Sequence, residues 1–284
     1  MIERSAKELL VDGISVPRFL YGTAWKEDET TQLTELALKA GFRGIDTANQ
    51  RKHYHEAQVG LAIAQAIENG LVTRDELFLQ TKFTFQRGQD SRLPYDPTAP
   101  VADQVAQSFL SSLEHLKTDR IESYVLHGPS TSRGLSPDDW DAWHAMESIY
   151  DSGQVKFLGV SNVSLLQLQL LHSQSRVKPR FAQIRCYATN GWDRAVRQFC
   201  MQNEIIYQGF SLLTANRAVM AHRKVQEIAN RHQCSTAQVV FKFALEVGML
   251  PLTGTTSAQH MKADLEVFNF NLAPEEIALL ESIA

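Results

Sequence analysis

Short apolar runs alternate with longer amphipathic segments along almost the whole chain. Eight runs read as strands: 19–22, 42–46, 77–82, 123–127, 157–161, 181–184, 205–210 and 249–252. They are too short for helices and are punctuated by turn residues, as strands buried on both faces are. The segments between them carry apolar residues at helical spacing. Leu33, Leu36, Ala37 and Ala40 form one such stripe, and Gly41 follows as a C-terminal cap. Val59, Ile63 and Ile67 form another before Gly70; Val105, Phe109, Leu113 and Leu116 a third; Trp143, Met146 and Tyr150 a fourth before Gly153. Further helices fit around 163–172, 193–202, 236–247, 257–266 and 274–283.

Strict alternation of strand and helix gives a parallel sheet with helical crossovers. Eight such units suit a closed (β/α)8 TIM barrel, an α/β fold that usually takes ~250 residues. The competing architecture is a doubly wound open sheet, whose G-x-G-x-x-G fingerprint would follow the first strand. That strand runs instead into Gly22-Thr23-Ala24-Trp25, which favours the barrel, expected as a single domain over residues 1–284. Residues 7–17 read as a hairpin turning at Asp12-Gly13, and the expectation is that it closes the bottom of the barrel. Two irregular stretches, 84–100 and 128–137, follow the third and fourth strands. Long loops after strands lie on the face where a barrel places its chemistry.

Composition narrows the class. Hydrophobic residues make up 44% of the 284-residue chain, enough for a sizeable core. Twenty-eight basic against 32 acidic side chains leave a net charge of −4, with no basic run to bind nucleic acid or an anionic membrane. Glu3, Arg4, Lys7, Glu8 and Asp12 leave no apolar stretch for a secretory signal, and nothing approaches the ~18 apolar residues of a membrane span. Cys186, Cys200 and Cys234 are scattered, without metal-ligand spacing, and read as ordinary reduced thiols. The expectation is a cytoplasmic protein, a monomer or weak homo-oligomer, that takes a small molecule and no metal.

Several strands end in residues that do chemistry: Asp46, Lys82, His127, Ser161 with Asn162, and Gln183 within its strand. Singly each has a bland reading, as a cap or a carbonyl partner. Five in register at one barrel mouth are harder to dismiss. A charge ending an apolar strand is costly unless paired, so Asp46 and Lys82 are expected to pair.

These residues resemble the aldo-keto reductases, whose tetrad is Asp, Tyr, Lys and His with the Asp in a G-x-D-T/S-A motif. Here Gly44-Ile45-Asp46-Thr47-Ala48 is similar to that motif, Lys82 to its lysine, and His127 in Leu-His-Gly-Pro to its histidine. The resemblance covers nearly the whole chain, and Gly-Val-Ser-Asn at 159–162 is among its specific signals. The tyrosine departs from the common pattern. In many members it falls five positions after the Asp, where this chain has Arg51; Tyr54 falls eight after. The segment 49–53 looks like an extended form seen in a subset of the family. Tyr54 is flanked by His53 and His55, which read as exposed loop histidines.

The resemblance implies hydride transfer between a nicotinamide cofactor and an aldehyde or ketone, with Tyr54 as general acid and, in reverse, base. A free Tyr has a pKa of ~10, and Lys82 beside it is expected to lower that value, with Asp46 holding Lys82 charged. His127 would polarise the carbonyl. Gly22, Thr23 and Asp46 belong to the implied cofactor surface. So do Ser161, Asn162 and Gln183 at the carboxamide, and Phe210 stacked on the nicotinamide. Ser211, Leu213 and Thr214 fall along the pyrophosphate. At the adenosine end the family's Lys and Arg are replaced by Gly254 and His260. Thr255, Thr256 and Ser257 at a helix start could bind a phosphate or simply cap the helix. NADP(H) is the implied cofactor and NAD(H) the alternative. Members with longer chains fold a C-terminal loop over the substrate; this chain, ending at Ala284, is expected to have an open pocket. Trp25 and Phe83 would line it, with Phe85, Tyr95 or Trp192 as further candidates.

Two other functions compete. A cofactor-sensing regulatory protein could use the same barrel, since fold does not determine function. A metal-assisted hydrolase is the second, against which Lys82 would repel an ion and no second strand-end histidine joins His127.

Overall fold

A computed structural model describes residues 2–5 and 7–283. Among them the strands, in chain order, are β1 (Ile2–Arg4), β2 (Glu8–Val11), β3 (Ile14–Pro17) and β4 (Leu20–Gly22). Then follow β5 (Gly44–Asp46), β6 (Phe78–Phe83), β7 (Ile121–Leu126), β8 (Val155–Ser161), β9 (Phe181–Arg185), β10 (Ile206–Phe210) and β11 (Leu250–Thr253). Strands β1–β3 make a small antiparallel sheet, and β4–β11 a closed barrel in the order β10-β11-β4-β5-β6-β7-β8-β9. Each of the eight apolar runs is thus a barrel strand. Two left-handed residues, Asp12 (φ 51°) and Gly13 (φ 81°), turn β2 into β3, the geometry a two-residue hairpin wants.

By their contacts the residues divide into two compact units, 21–182 and 2–20 with 183–283. In the first, β5–β8 are flanked by the helices Thr30–Ala40, Glu56–Glu68, Val101–Leu116, Pro137–Asp151 and Leu165–Gln174. The strands β5, β6 and β7 are buried at every position, which explains why they read as continuous apolar runs. Phe181 packs edge-on against Phe78 and Phe157, at 5.7 and 5.6 Å between ring centres. One glycine is dictated by proximity: a Cβ on Gly60 would lie 1.9 Å from the His115 carbonyl oxygen. Gly60 therefore lets the helices Glu56–Glu68 and Val101–Leu116 approach closely.

In the second unit, Leu9 and Arg18 share a cavity of about 440 Å³ with Ile206 and Leu250, the first residues of β10 and β11. The hairpin thus lies at the N-terminal ends of those strands, away from the candidate chemistry at their other ends. Two short helices, Arg217–Ala221 and Arg223–Arg231, are not among those the apolar pattern predicts. Val225, Ile228 and Ala229 are the buried face of the second, a stripe short enough to miss. Trp192, a candidate pocket aromatic, is core: it is wholly buried, donates to the Leu280 carbonyl at 2.9 Å and packs on Phe243. Cys186 and Cys200 are free and buried, and burial pushes both thiols up to about 12.

Candidate active site

Strand register assembles the first part of the site. Asp46 of β5 stands opposite Gln80 of β6, and Lys82 lies two residues further along β6 on the same face. The Lys82 side chain is fully buried, with Nζ 2.8 Å from both carboxylate oxygens of Asp46 and 2.7 Å from the Thr47 carbonyl. All three ammonium protons are thereby used. Gln80 adds a 2.7 Å bond to Asp46 Oδ1 and accepts from Ser123. Burial lowers the Lys82 pKa, while Asp46 and then Glu56 act to raise it. The expected pairing of Asp46 with Lys82 is present.

Tyr54 sits on the extended segment, which two buried amides hold in place. Gln50 Nε2 donates to the Gly88 carbonyl at 2.6 Å, and Asn49 Nδ2 to the Ser108 carbonyl at 3.0 Å. The backbone amides of His53 and Tyr54 both donate to the Gln50 carbonyl. The segment ends at Glu56, a buried carboxylate that accepts from Thr81, Ser112 and His115. Sequence reasoning missed Glu56; its place at the start of a helix makes it look like a dipole-compensating residue. The Tyr54 ring comes within 5.2 Å of Lys82 Nζ and 5.9 Å of the His127 ring.

One electrostatic expectation is corrected. The Tyr54 pKa is raised, first by burial and then by the charge of Asp46. Burial outweighs any help from Lys82, whose ammonium is held by both Asp46 oxygens. Tyr54 is therefore held as a protonated phenol.

His127 follows β7 directly, its amide bonded to the Phe83 carbonyl. Its Nδ1 lies 2.7 Å from the Thr84 hydroxyl. Burial, then Lys82 and His53, hold the imidazole well below its usual pKa, so the ring is neutral at pH 7. The contact fits either tautomer; in the one where Thr84 donates to Nδ1, the neutral ring carries its proton on Nε2. Asn162, in a left-handed conformation (φ 52°), donates to the His127 carbonyl at 2.8 Å. Ser161 is buried at the end of β8. At the end of β4, after Gly22, Thr23 donates from both its amide and hydroxyl to the Asp46 carbonyl, so it positions β5.

Two of the cavities among the described residues border these side chains. One, of about 390 Å³, is walled by Gln50, Thr84, Phe85, His127, Pro129 and Asn162. The other, of about 380 Å³, borders Tyr54, Arg51, His55, Arg92 and His115, and Gln50 lines both. Phe83 lines neither: it is completely buried beneath Phe85 and Tyr95, and the candidate aromatic that shares a cavity with His127 is Phe85. Tyr95 is also buried, its hydroxyl on the Thr84 carbonyl. Trp25 is 67% exposed and stacks on His53, 3.9 Å between ring centres. Neither flanking histidine is a free loop residue. His53 is half-covered by Trp25, and His55 buries an Nδ1 that has no partner among the described residues.

In the unit 2–20 with 183–283, Gln183 donates to Gln208 at 3.1 Å, bracing β9 on β10. Phe210 ends β10 half-exposed, and a turn through Ser211 (φ 57°), Leu213 and Thr214 follows. The helix Ala258–Leu265 begins at Ser257, whose hydroxyl accepts from the His260 amide; the Thr255 hydroxyl accepts from the Ser257 amide. Ser257 thus caps the helix and Thr255 holds the turn before it, leaving Thr256 and His260 exposed.

Asp264 in the same helix is buried, and burial pushes its carboxyl up to about 6 despite Thr253 and His260. A raised acid favours the protonated native state, so its stability contribution is full below an unfolded pKa of ~3.9 and is lost as pH rises toward 6. Asp264→Asn is expected to stabilise by about 1–3 kcal/mol near pH 8 and by almost nothing near pH 4. Thermal unfolding at both pH values checks this; a gain independent of pH would exclude Asp264 as the titrating group.

The family model described as Aldo/keto reductase family matches residues 19–284. An aldo-keto reductase of Bombyx mori is 31% identical over 291 aligned positions, covering 95% of this chain and 90% of that protein. A glyoxal reductase of Bacillus subtilis is 26% identical, covering 96% and 91%. The crystal structure of an aldo/keto reductase from Brucella melitensis superposes with a TM-score of 0.80 at 28% identity, covering 97% of this chain and 98% of that one.

Proposed function

Since the chain belongs to the aldo/keto reductase family, oxidoreductases that act on carbonyls, we propose that it reduces a small aldehyde or ketone with a nicotinamide cofactor, Tyr54 giving the proton. One observation carries this reading. Asp46 with Tyr54, Lys82 and His127, from three separate stretches of the sequence, gather within one compact unit, and His127 walls a cavity.

The donor set fits such a cofactor. Asn162 and Thr256 are exposed, and Phe210 is half-exposed at its strand end. Ser161, Asn162, Gln183 and Phe210 would hold the nicotinamide end, with Gly22, Thr23 and Asp46 at its edge, and Ser211, Leu213 and Thr214 the pyrophosphate. The cofactor, when bound, supplies a hydride to the carbonyl carbon. Tyr54 holds the proton on its hydroxyl and passes it to the carbonyl oxygen. At pH 7 the phenol is protonated, as reduction requires; the reverse, alcohol oxidation, needs the phenolate and gains at high pH. His127 donates from Nε2 to the same oxygen, strengthening as charge develops there. NADP(H) is favoured by the helix N-terminus at Ala258–Leu265 with His260 and Lys262 close by. The engagement of the Thr255 and Ser257 hydroxyls with the chain's own amides keeps NAD(H) as the alternative.

Parallel consumption of NADPH and NADH with a panel of aliphatic and aromatic aldehydes tests the reading. Turnover is expected with at least one carbonyl, faster with NADPH. Tight cofactor binding without turnover on any of them would replace this function with that of a cofactor sensor.

A further inference from the structure

The turn after β10 is held by one buried side chain. Asn216 is 4% exposed and uses both ends of its amide. Its Nδ2 donates to the Leu212 carbonyl at 2.8 Å, inside the turn, and to the Cys186 carbonyl at 3.0 Å, just past β9. Its Oδ1 accepts from the Ala188 amide at 2.7 Å. Two carbonyls on one side and an amide on the other leave a single orientation for the side-chain amide. The backbone closes the same junction: Cys186 donates to the Phe210 carbonyl, Ala215 to Ser211 and Asn216 to Leu213. Ser211, in the left-handed region at φ 57°, is the residue whose backbone this turn must hold against its own preference.

We infer that Asn216 is a positioning residue for the cofactor: it locks the Phe210–Thr214 surface in register with the end of β9. The inference rests on the reading of that surface as the nicotinamide and pyrophosphate site. Asn216 touches no reacting atom. Its effect falls on cofactor affinity, because a loop that is already ordered loses less freedom on binding. The carbonyl step, which depends on Tyr54, Lys82 and His127, is left alone.

Two variants separate this from a role in folding. Asn216→Ala removes all three bonds. Asn216→Asp keeps the acceptor for Ala188 but sets a carboxylate oxygen against two carbonyl oxygens, a repulsion that protonation relieves by restoring one donor. NADP+ and NAD+ are titrated into full-length protein by tryptophan fluorescence, beside thermal unfolding and steady-state kinetics. The Kd of the better cofactor is expected to rise about tenfold or more in both variants, with kcat at saturating cofactor and the carbonyl KM within about twofold. In Asn216→Asp the loss relative to wild type at the same pH shrinks as pH falls from about 8 to about 5.5. An unchanged Kd in folded variants overturns the inference, as does a loss spread equally over Kd, kcat and carbonyl KM. Failure of both variants to fold would assign Asn216 to the fold alone and overturn it too. If wild type binds neither NADP+ nor NAD+, the cofactor reading itself has failed, which is a different result.

Discussion

Tyr54→Phe is expected to lower carbonyl turnover by about 10²–10⁴-fold while leaving the fold and cofactor binding intact. The size follows from the loss of a positioned acid: without the phenol, the developing alkoxide must take its proton from water or a poorly placed group. The selectivity follows from the packing. The Tyr54 ring keeps its contacts with Lys82 Nζ and His127 in the variant. Burial together with Asp46 keeps the wild-type phenol protonated, so the substitution removes no charge. Single-turnover rates at saturating cofactor, with thermal unfolding as control, read both halves of the prediction. An active Tyr54→Phe would move the proton donor elsewhere, with His127, its ring 5.9 Å from that of Tyr54, the next candidate.

Asp46→Asn is expected to cost about 3–5 kcal/mol of stability as well as activity. The Lys82 ammonium is fully buried and takes three of its contacts from Asp46 and the Thr47 carbonyl. Removing the carboxylate charge leaves an ammonium in a dry site, where breaking a pair costs far more than replacing it. Lys82→Met should be damaging for the mirrored reason. The double variant Asp46→Asn/Lys82→Met is expected to recover part of the lost stability and none of the activity. Urea unfolding of the four proteins measures the coupling. Strict additivity would show that the two charges do not depend on each other, and the electrostatic account of the site would fall.

Much of this site is legible in the amino-acid sequence. Asp46, Lys82 and His127 announce themselves because a polar group closing an apolar strand is rare and costly, and because neighbouring parallel strands carry their ends to one face. The hairpin turn at Asp12-Gly13 and the cap at Gly41 are readable for a similar reason: each depends on the backbone freedom of one or two residues, and both adopt the left-handed conformation. Tyr54 can be named from its neighbours, though its spacing from Asp46 is unusual. How that segment is accommodated is not readable, since Asn49 and Gln50 are anchored by Ser108 and Gly88, dozens of positions away.

Periodicity along the chain determined the eight strands, most of the helices and the strand-end positions of the candidate residues, since those depend on which faces a segment must bury. What covers each residue was decided only in three dimensions. Phe83 reads as a pocket aromatic, yet Phe85 and Tyr95 close over it; Trp192 does too, yet the helix Pro274–Ser282 and Phe243 enclose it. The direction of the Tyr54 shift depended first on its burial and then on the charge of Asp46, and the role inferred for Asn216 on a meeting of two loops. Burial, ion-pair saturation and contacts between distant segments are properties of packing, which local pattern does not contain.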